Sequence, residues 1–273
     1  MKFHLYSFSL IFFIAYFFPI RLQGQKIQKK EMFPSWNKKE CAVVLTYDDA
    51  INVDLDNVFP ILDSLKIRAT FYLIGSSPVV HNRMEEWRKL AKEGNELGNH
   101  SLFHPCDGLL PGRSFINQDN DLSRYTVNRA VNEIKMNNTL LKALDGKETR
   151  TFAYPCGDLK IGNNNFYDSL KNDFAGARGV KEGFESLDKI DLNDIHCFFI
   201  NGQSSDYMID LVNKALQDHT LLVFLFHGVG GGHNLNVGLK DHSRLLHYLK
   251  ENENRIWIAP LVEVAEFIKK HKS

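Results

Sequence analysis

Two pairs of side chains in this sequence could do together what neither member does alone. Asp48 and Asp49 are adjacent carboxylates at the end of the apolar run 43–47, and His100 and His104 are imidazoles four residues apart in His-Ser-Leu-Phe-His. One helical turn would bring residues i and i+4 to the same side. Neutral imidazole is a good zinc ligand, and two histidines with one carboxylate make a site that keeps positions open for water. Adjacent carboxylates point in different directions, so one can hold the metal while the other accepts a proton from water. Each pair also has a plainer reading. Aspartate after a strand often caps a turn or helix, and surface histidines at this spacing are common.

A third feature is His227, which follows the apolar run 221–226 and precedes Gly228, Gly230, Gly231 and Gly232. The glycines suggest close backbone approach to a ligand. Histidine titrates near working pH, which suits a general acid for a leaving amine or alkoxide. His81, His196, His219, His233, His242 and His247 lack such a context and are read as surface residues.

Short β-branched or aromatic runs at 42–47, 69–74, 96–99, 151–154, 174–177, 197–200, 221–226 and 256–258 read as strands. Amphipathic segments at 54–66, 83–93, 124–144, 206–218, 240–251 and 261–270 read as helices; in the first, Leu55, Val58, Phe59, Leu62 and Leu65 recur at helical spacing. Repeated strand–helix alternation predicts an α/β fold with a parallel sheet, as a distorted (β/α) barrel, with an open doubly wound sheet as the alternative. In such a barrel every strand C-terminus opens onto one face. Asp48-Asp49, His100/His104, Pro155-Cys156-Gly157 and His227 all follow strand ends, so four polar clusters converge there. Segment 106–120 is a long polar excursion, read as a loop over the site.

These motifs resemble those of the polysaccharide deacetylases, the NodB-type carbohydrate esterases of family four. Thr46-Tyr47-Asp48-Asp49-Ala50 resembles the TFDDG signature, and Asn99-His100-Ser101-Leu102-Phe103-His104 resembles NH(S/T)xxH. Phe152-Ala153-Tyr154-Pro155-Cys156-Gly157 resembles the third motif and Leu225-Phe226-His227 the last. The resemblance implies a divalent metal, usually zinc, held by Asp49, His100 and His104. It also implies Asp48 as base, His227 as acid, and the Cys156 backbone N–H as an oxyanion donor, with Tyr154 and Pro155 beside it against substrate. Ala50 replaces the usual glycine. Ala153 stands where many members carry the arginine that pairs with the catalytic aspartate. Arg178 is the candidate substitute, also placed against substrate, with Arg150 behind it. The nearest match to the Asp-rich fourth motif is Ser204-Ser205-Asp206-Tyr207.

The activity so implied is removal of O- or N-acetyl groups from a carbohydrate such as acetylated xylan, chito-oligomers or peptidoglycan. The alternatives are hydrolysis of C–N bonds in small cyclic amides and a catalytically silent carbohydrate-binding protein. Formal charge balances at zero, so nothing points to nucleic acid or an anionic membrane, and no protein partner is inferred. Residues 1–25, with Lys2, an apolar run at 5–20 and a polar end, read as a secretory signal peptide, or alternatively as an uncleaved membrane anchor. Residues 26–273 then form one catalytic domain, periplasmic or secreted. The cysteines 41, 106, 156 and 197 form no CxxC pair, which argues against a thiolate zinc site. Cys106 and Cys156 each lie within or beside a motif, so a bridge near the site and four buried free thiols both stand as readings.

Overall fold

The computed structural model describes residues 1–3 and 36–272. Most of the segment read as a signal peptide lies outside the described residues. Among those described, no helix is long and apolar enough to cross a membrane.

Eight parallel strands form the main sheet: β1 (Cys41–Asp48), β2 (Thr70–Leu73), β3 (Glu96–Asn99), β4 (Phe152–Ala153), β5 (Ala177–Arg178), β6 (Phe198–Phe199), β7 (Leu221–Phe226) and β8 (Ile256–Ile258). Their order is β5-β4-β3-β2-β1-β7-β6, with β8 paired to the start of β1. β1 is central, bonded to β7 along 42–47 and to β2 along 46–48. All eight of its residues are buried, as expected of a parallel strand covered on both faces.

The sheet is rolled. In a flat sheet β5 and β1 would lie about 19 Å apart, yet Arg178 on β5 reaches Asp48 on β1 at 2.5 Å. The two edges share no strand ladder; they meet through a single bridge of Arg178 with Ile195, ahead of β6, and a few flanking backbone hydrogen bonds such as Cys197 N–H to Lys181 O. The barrel is therefore incomplete along one seam.

Strand parity decides what faces where. Cys41, Val43, Leu45 and Tyr47 pack outward against α1 (Phe59–Leu65), α3 (Met84–Lys92), α5 (Ser205–Asp218) and α6 (Leu239–Glu251). Ala42 and Val44 belong to the inner cluster with Tyr72, Ala153, Val223 and Leu225. Asp48 continues the inner series. At the opposite end α7 (Leu261–His271) closes the barrel, where the Leu261 and Val262 N–H groups donate to Thr70 Oγ1 and Glu96 Oε2. The long α4 (Val127–Asp145) packs beside β3.

Several features differ from the expected ones, four of them with a local cause or neighbour in view. The strand expected at 174–177 pairs only at Ala177–Arg178, because Phe174 turns into an aromatic cluster with Phe152 and Tyr167. The helix expected at 54–66 begins as a π turn, Asp54–Val58, before α1. The change falls between Val58 and Phe59, just before Pro60, which has no N–H to give to the preceding turn. A short helix α2 (Pro78–Asn82) was not expected, although Ser77 caps it and proline opens it. His242 is fully buried rather than superficial, within hydrogen-bond distance of the Tyr47 hydroxyl.

Candidate active site

At the C-terminal mouth of the barrel, a cavity of about 310 Å³ is lined by Asp48, Asp49, His100, His104, Cys156 and His227 among others. Asp49 and Ala50 follow β1 with φ of 81° and 55°. This left-handed turn swings the Asp49 carboxylate across the mouth. Its Oδ1 lies 3.5 Å from His100 Nε2 and 3.6 Å from His104 Nε2.

The two histidines do not share a helical turn. They sit on an irregular loop after β3, with Ser101 and His104 at φ of 63° and 52°. Side chains hold this loop. Asn99 Oδ1 accepts from the Ser101 N–H at 2.7 Å, and Ser101 Oγ accepts from the His104 N–H at 2.9 Å. From α4, Asn137 Nδ2 donates to Leu73 O, Asn99 Oδ1 and Ser101 O. The result brings the imidazole rings to 4.7 Å, edge to face.

These groups suit a metal. His100 Nδ1–H donates to Ala153 O at 2.9 Å, which leaves the Nε2 lone pair facing Asp49. The three ligand atoms lie within 4.8 Å of one another. A tetrahedral ion with bonds near 2.1 Å sets its ligands about 3.4 Å apart, close to the two separations above. Asp49 Oδ1 is buried without a hydrogen-bond partner, the kind of oxygen a cation satisfies.

The electrostatics favour a metal at Asp49 and His104 but not at His100. Burial pushes the Asp49 carboxyl up, but the His100 imidazole beside it, with His104 and His227, holds it below the usual carboxylate range. Burial, joined by the charge of His100, lowers His104 to about 4. Burial also lowers His227, against the pull of Asp48 and Asp49. His100 is raised, because Asp48 and Asp49 outweigh its burial. A deprotonated carboxylate and a neutral His104 suit a metal, whereas a proton on His100 would have to leave as one binds.

Arg178 fills the place left by Ala153. The two are register partners on β5 and β4. Arg178 is 0% exposed; its Nη2 donates to Asp48 Oδ2 at 2.5 Å, its Nη1 donates to Gly179 O, and its guanidinium lies over the Tyr72 ring. It therefore orients Asp48 from behind and does not face substrate, contrary to its expected placement. Arg150 pairs instead with Asp145 and backbone carbonyls. Pro155 is buried outside this cavity, beside Ser101 and Pro105. Tyr154 lines the cavity, but its hydroxyl donates to Asn193 O. Ser204 is the N-cap of α5, and Asp206 pairs with Arg244 on the surface, so the nearest fourth-motif match lies away from the site. Among the described residues His227 Nδ1 has no hydrogen-bond partner.

Cys106 and Cys156 form a disulfide, with Cα atoms 5.8 Å apart, while Cys41 and Cys197 are buried thiols. The bridge ties the loop after His104 to the turn after β4. Its sulfurs are not thiolates and do not compete for a metal. The loop 106–120 contributes Arg113 and Phe115 to the cavity wall. One histidine read as superficial belongs here. His233 lines the cavity, stacked on His227 at 5.0 Å. The glycine run just before it was the available signal.

A family model described as polysaccharide deacetylase matches residues 36–173, just over half of the chain. Two proteins of Bacillus subtilis (strain 168) are similar in sequence. The uncharacterized protein YlxY is 30% identical over 109 residues, 40% of this chain and 29% of that one. The peptidoglycan-N-acetylmuramic acid deacetylase PdaC is 31% identical over 136 residues, 49% of this chain and 24% of that one. The match thus spans only about a quarter of these relatives' length. Among solved structures, the Xyl-CE4 domain of a multidomain xylanase from the hindgut metagenome of Trinervitermes trinervoides has a TM-score of 0.53 at 21% identity, covering 85% of this chain and 91% of that chain. A mutant of BA3943, described as a CE4 family pseudoenzyme, has a TM-score of 0.51 at 16% identity, covering 82% and 67%. Those two likenesses speak to the fold alone. The family model, spanning the strands that carry Asp48, Asp49, His100, His104 and Cys156, speaks to descent: the chain belongs to the polysaccharide deacetylase family.

Proposed function

We propose that the chain is a metal-dependent hydrolase that removes acetyl groups, O- or N-linked, from a carbohydrate of the xylan, chito-oligomer or peptidoglycan type. The observation that carries this reading is the set Asp49, His100 and His104 beside a second carboxylate, Asp48, fixed by a buried arginine. A divalent ion held by those three residues, zinc by its donor set, supplies Lewis-acid polarisation of an acetyl carbonyl when bound. Asp48 has one oxygen engaged by Arg178, while its Oδ1 is buried and without a hydrogen-bond partner. That free oxygen accepts the proton of the attacking water. His227, across the cavity, gives a proton to the departing oxygen or nitrogen. The Cys156 backbone N–H, held in place by the bridge to Cys106, donates to the developing oxyanion.

A silent carbohydrate-binding protein has no need of a second carboxylate anchored by a buried arginine, so the Arg178–Asp48 pair supports the enzyme reading over that alternative. A disulfide beside the site favours an oxidising compartment, in keeping with export directed by the N-terminal segment. The test is acetate release from acetylated xylan, chito-oligomers and peptidoglycan after chelation and after zinc is restored. Activity should vanish and return, and Asp49→Ala should abolish it. Full activity in Asp49→Ala overturns the metal assignment.

A further inference from the structure

Four histidines line the cavity, one more than the reaction above uses. The fourth, His233, stands on a loop folded back over the site. The Gly228 N–H donates to Leu235 O and the Gly230 N–H to Val237 O, which pairs Gly228–Val229 with Asn236–Val237 as a small ribbon. A side chain at Gly228 would meet Gly231 O at 2.3 Å, and one at Gly232 would meet Val53 at 2.8 Å. The glycines are what let the chain fold this tightly. The fold-back lays the His233 ring on that of His227, 15° from parallel, with its Nε2 3.8 Å from Asp49 Oδ2.

The ring is set in one tautomer. The Leu235 N–H donates to His233 Nδ1 at 3.1 Å. A ring nitrogen that accepts carries no proton, so the proton is on Nε2. His233 Nε2–H is then a donor aimed into the cavity and offers no lone pair to a metal. His100 is the reverse case, since its Nδ1 donates to Ala153 O and its Nε2 is left to ligate.

Asp49 divides the cavity between these roles. Its Oδ1 faces the ligands His100 and His104, and its Oδ2 faces His227 and His233. Cys156, bonded to Cys106 beside His104, marks the acyl side. The leaving atom is at His227, and the sugar that bears it extends toward His233, the more exposed ring (33% against 14%). We propose, resting on the deacetylase reading, that His233 is a substrate-binding residue whose Nε2–H donates to a hydroxyl or ring oxygen of the sugar carrying the acetyl group.

The experiment compares wild type, His233→Leu and His233→Gln on two substrates. One is whichever of acetylated xylan, chito-oligomers and peptidoglycan the wild type deacetylates fastest. The other is 4-nitrophenyl acetate, which has no sugar oxygen. One neutral hydrogen bond corresponds to roughly a three- to tenfold change in affinity. The leucine variant should raise KM for the glycan by that factor, with a smaller change in kcat and a smaller rise in KM for the aryl ester. Glutamine, whose amide Nε2 donates from the same position, should restore most of the glycan KM. Unchanged glycan KM in His233→Leu, equal losses on both substrates, or loss of bound zinc from that variant overturns the assignment. If the leucine variant does not fold, His233→Asn, whose amide replaces only the Nδ1 side of the ring, takes its place under the same criteria. A wild type that releases acetate from no glycan removes the deacetylase reading itself, a result distinct from an active enzyme indifferent to residue 233.

Discussion

Replacing Arg178 by methionine keeps the length of the side chain and removes the charge beside Asp48. Both members of this pair are almost wholly buried, with side-chain exposures of 0% and 4%. An exposed ion pair would be worth at most about 1 kcal/mol. A buried one behaves differently, because removing one partner leaves the other charge desolvated and uncompensated, at a cost of about 3–5 kcal/mol. The methionine also loses the hydrogen bond to Gly179 O and the contact over Tyr72. The expected loss is therefore about 4 kcal/mol in urea unfolding, within the 5–15 kcal/mol typical of a domain, so that folded protein remains to be assayed. Acetate release should fall by at least a hundredfold if Asp48 is the general base we propose, since it has lost its anchor. The register of Ala153 with Arg178 supplies a control. Ala153→Arg combined with Arg178→Ala moves the cation one strand, about 4.8 Å, to the position many family members use. That double variant should recover at least half of the lost stability. A stability change below 1 kcal/mol in Arg178→Met, with full activity, would refute the reasoning, for it would mean that Asp48 needs no buried counter-charge.

Other consequences follow from buried and cross-linked groups. His242 is lowered to about 3 by burial, so between pH 6.5 and 3 the unfolded chain binds a proton that the folded chain does not. Its contribution is complete above pH 6.5 and is lost as pH falls; about 2 kcal/mol should be gone by pH 5. In urea titrations at several pH values, His242→Gln should flatten that slope. The Cys106–Cys156 bridge closes a loop with a sequence separation of 50, for which chain entropy predicts about 4 kcal/mol. Cys106→Ser with Cys156→Ser should lose stability of that order in unfolding without reductant, and reductant should lower the wild type alone. Ala50 lies at φ 55° with its methyl buried in the core, so in Ala50→Gly the relief of about 1–2 kcal/mol of backbone strain is offset by the lost methyl burial and the freer unfolded chain, and the urea midpoint should shift by the equivalent of less than about 1 kcal/mol.

Much of the frame was legible because period-two patterning and parallel-sheet burial act locally. β3, β7 and β8 fall at their predicted residues; the apolar runs of β7 and β8 end before His227 and before Ala259-Pro260. β4, β5 and β6 pair over two residues each, too short for alternation to fix their register. The identity of the Asp48 partner depended on that register. Arg178 could be named as a candidate from its place near a strand end, but only the pairing of Ala153 with Arg178 puts it behind Asp48. His233 was missed for a related reason. Glycines permit a fold-back without specifying its direction, and only the ribbon with Asn236–Val237 aims the ring inward.

The histidine pair shows how a spacing can locate a site through a conformation that does not occur. Four residues suggested one helical turn, yet the segment is a loop with left-handed backbone at Ser101 and His104. Asp49, Ala50 and Cys156 are left-handed too, so five of the nine non-glycine residues with positive φ among those described belong to this site. Each such residue costs on the order of 1–3 kcal/mol and persists only where its surroundings over-determine it. Those surroundings are identifiable: Asn137 donating to three acceptors, Ser101 and Asn99 bonding within the loop, and the disulfide fixing Cys156. A helix would have presented the two imidazoles along its own axis. The loop turns both toward one oxygen of the carboxylate that follows β1, which a helix continuing β3 could not do without carrying His104 away from β1. The strain is thus the physical consequence of gathering Asp49, His100 and His104 from two strand ends at one point, and the buried Asn137 network is what holds it.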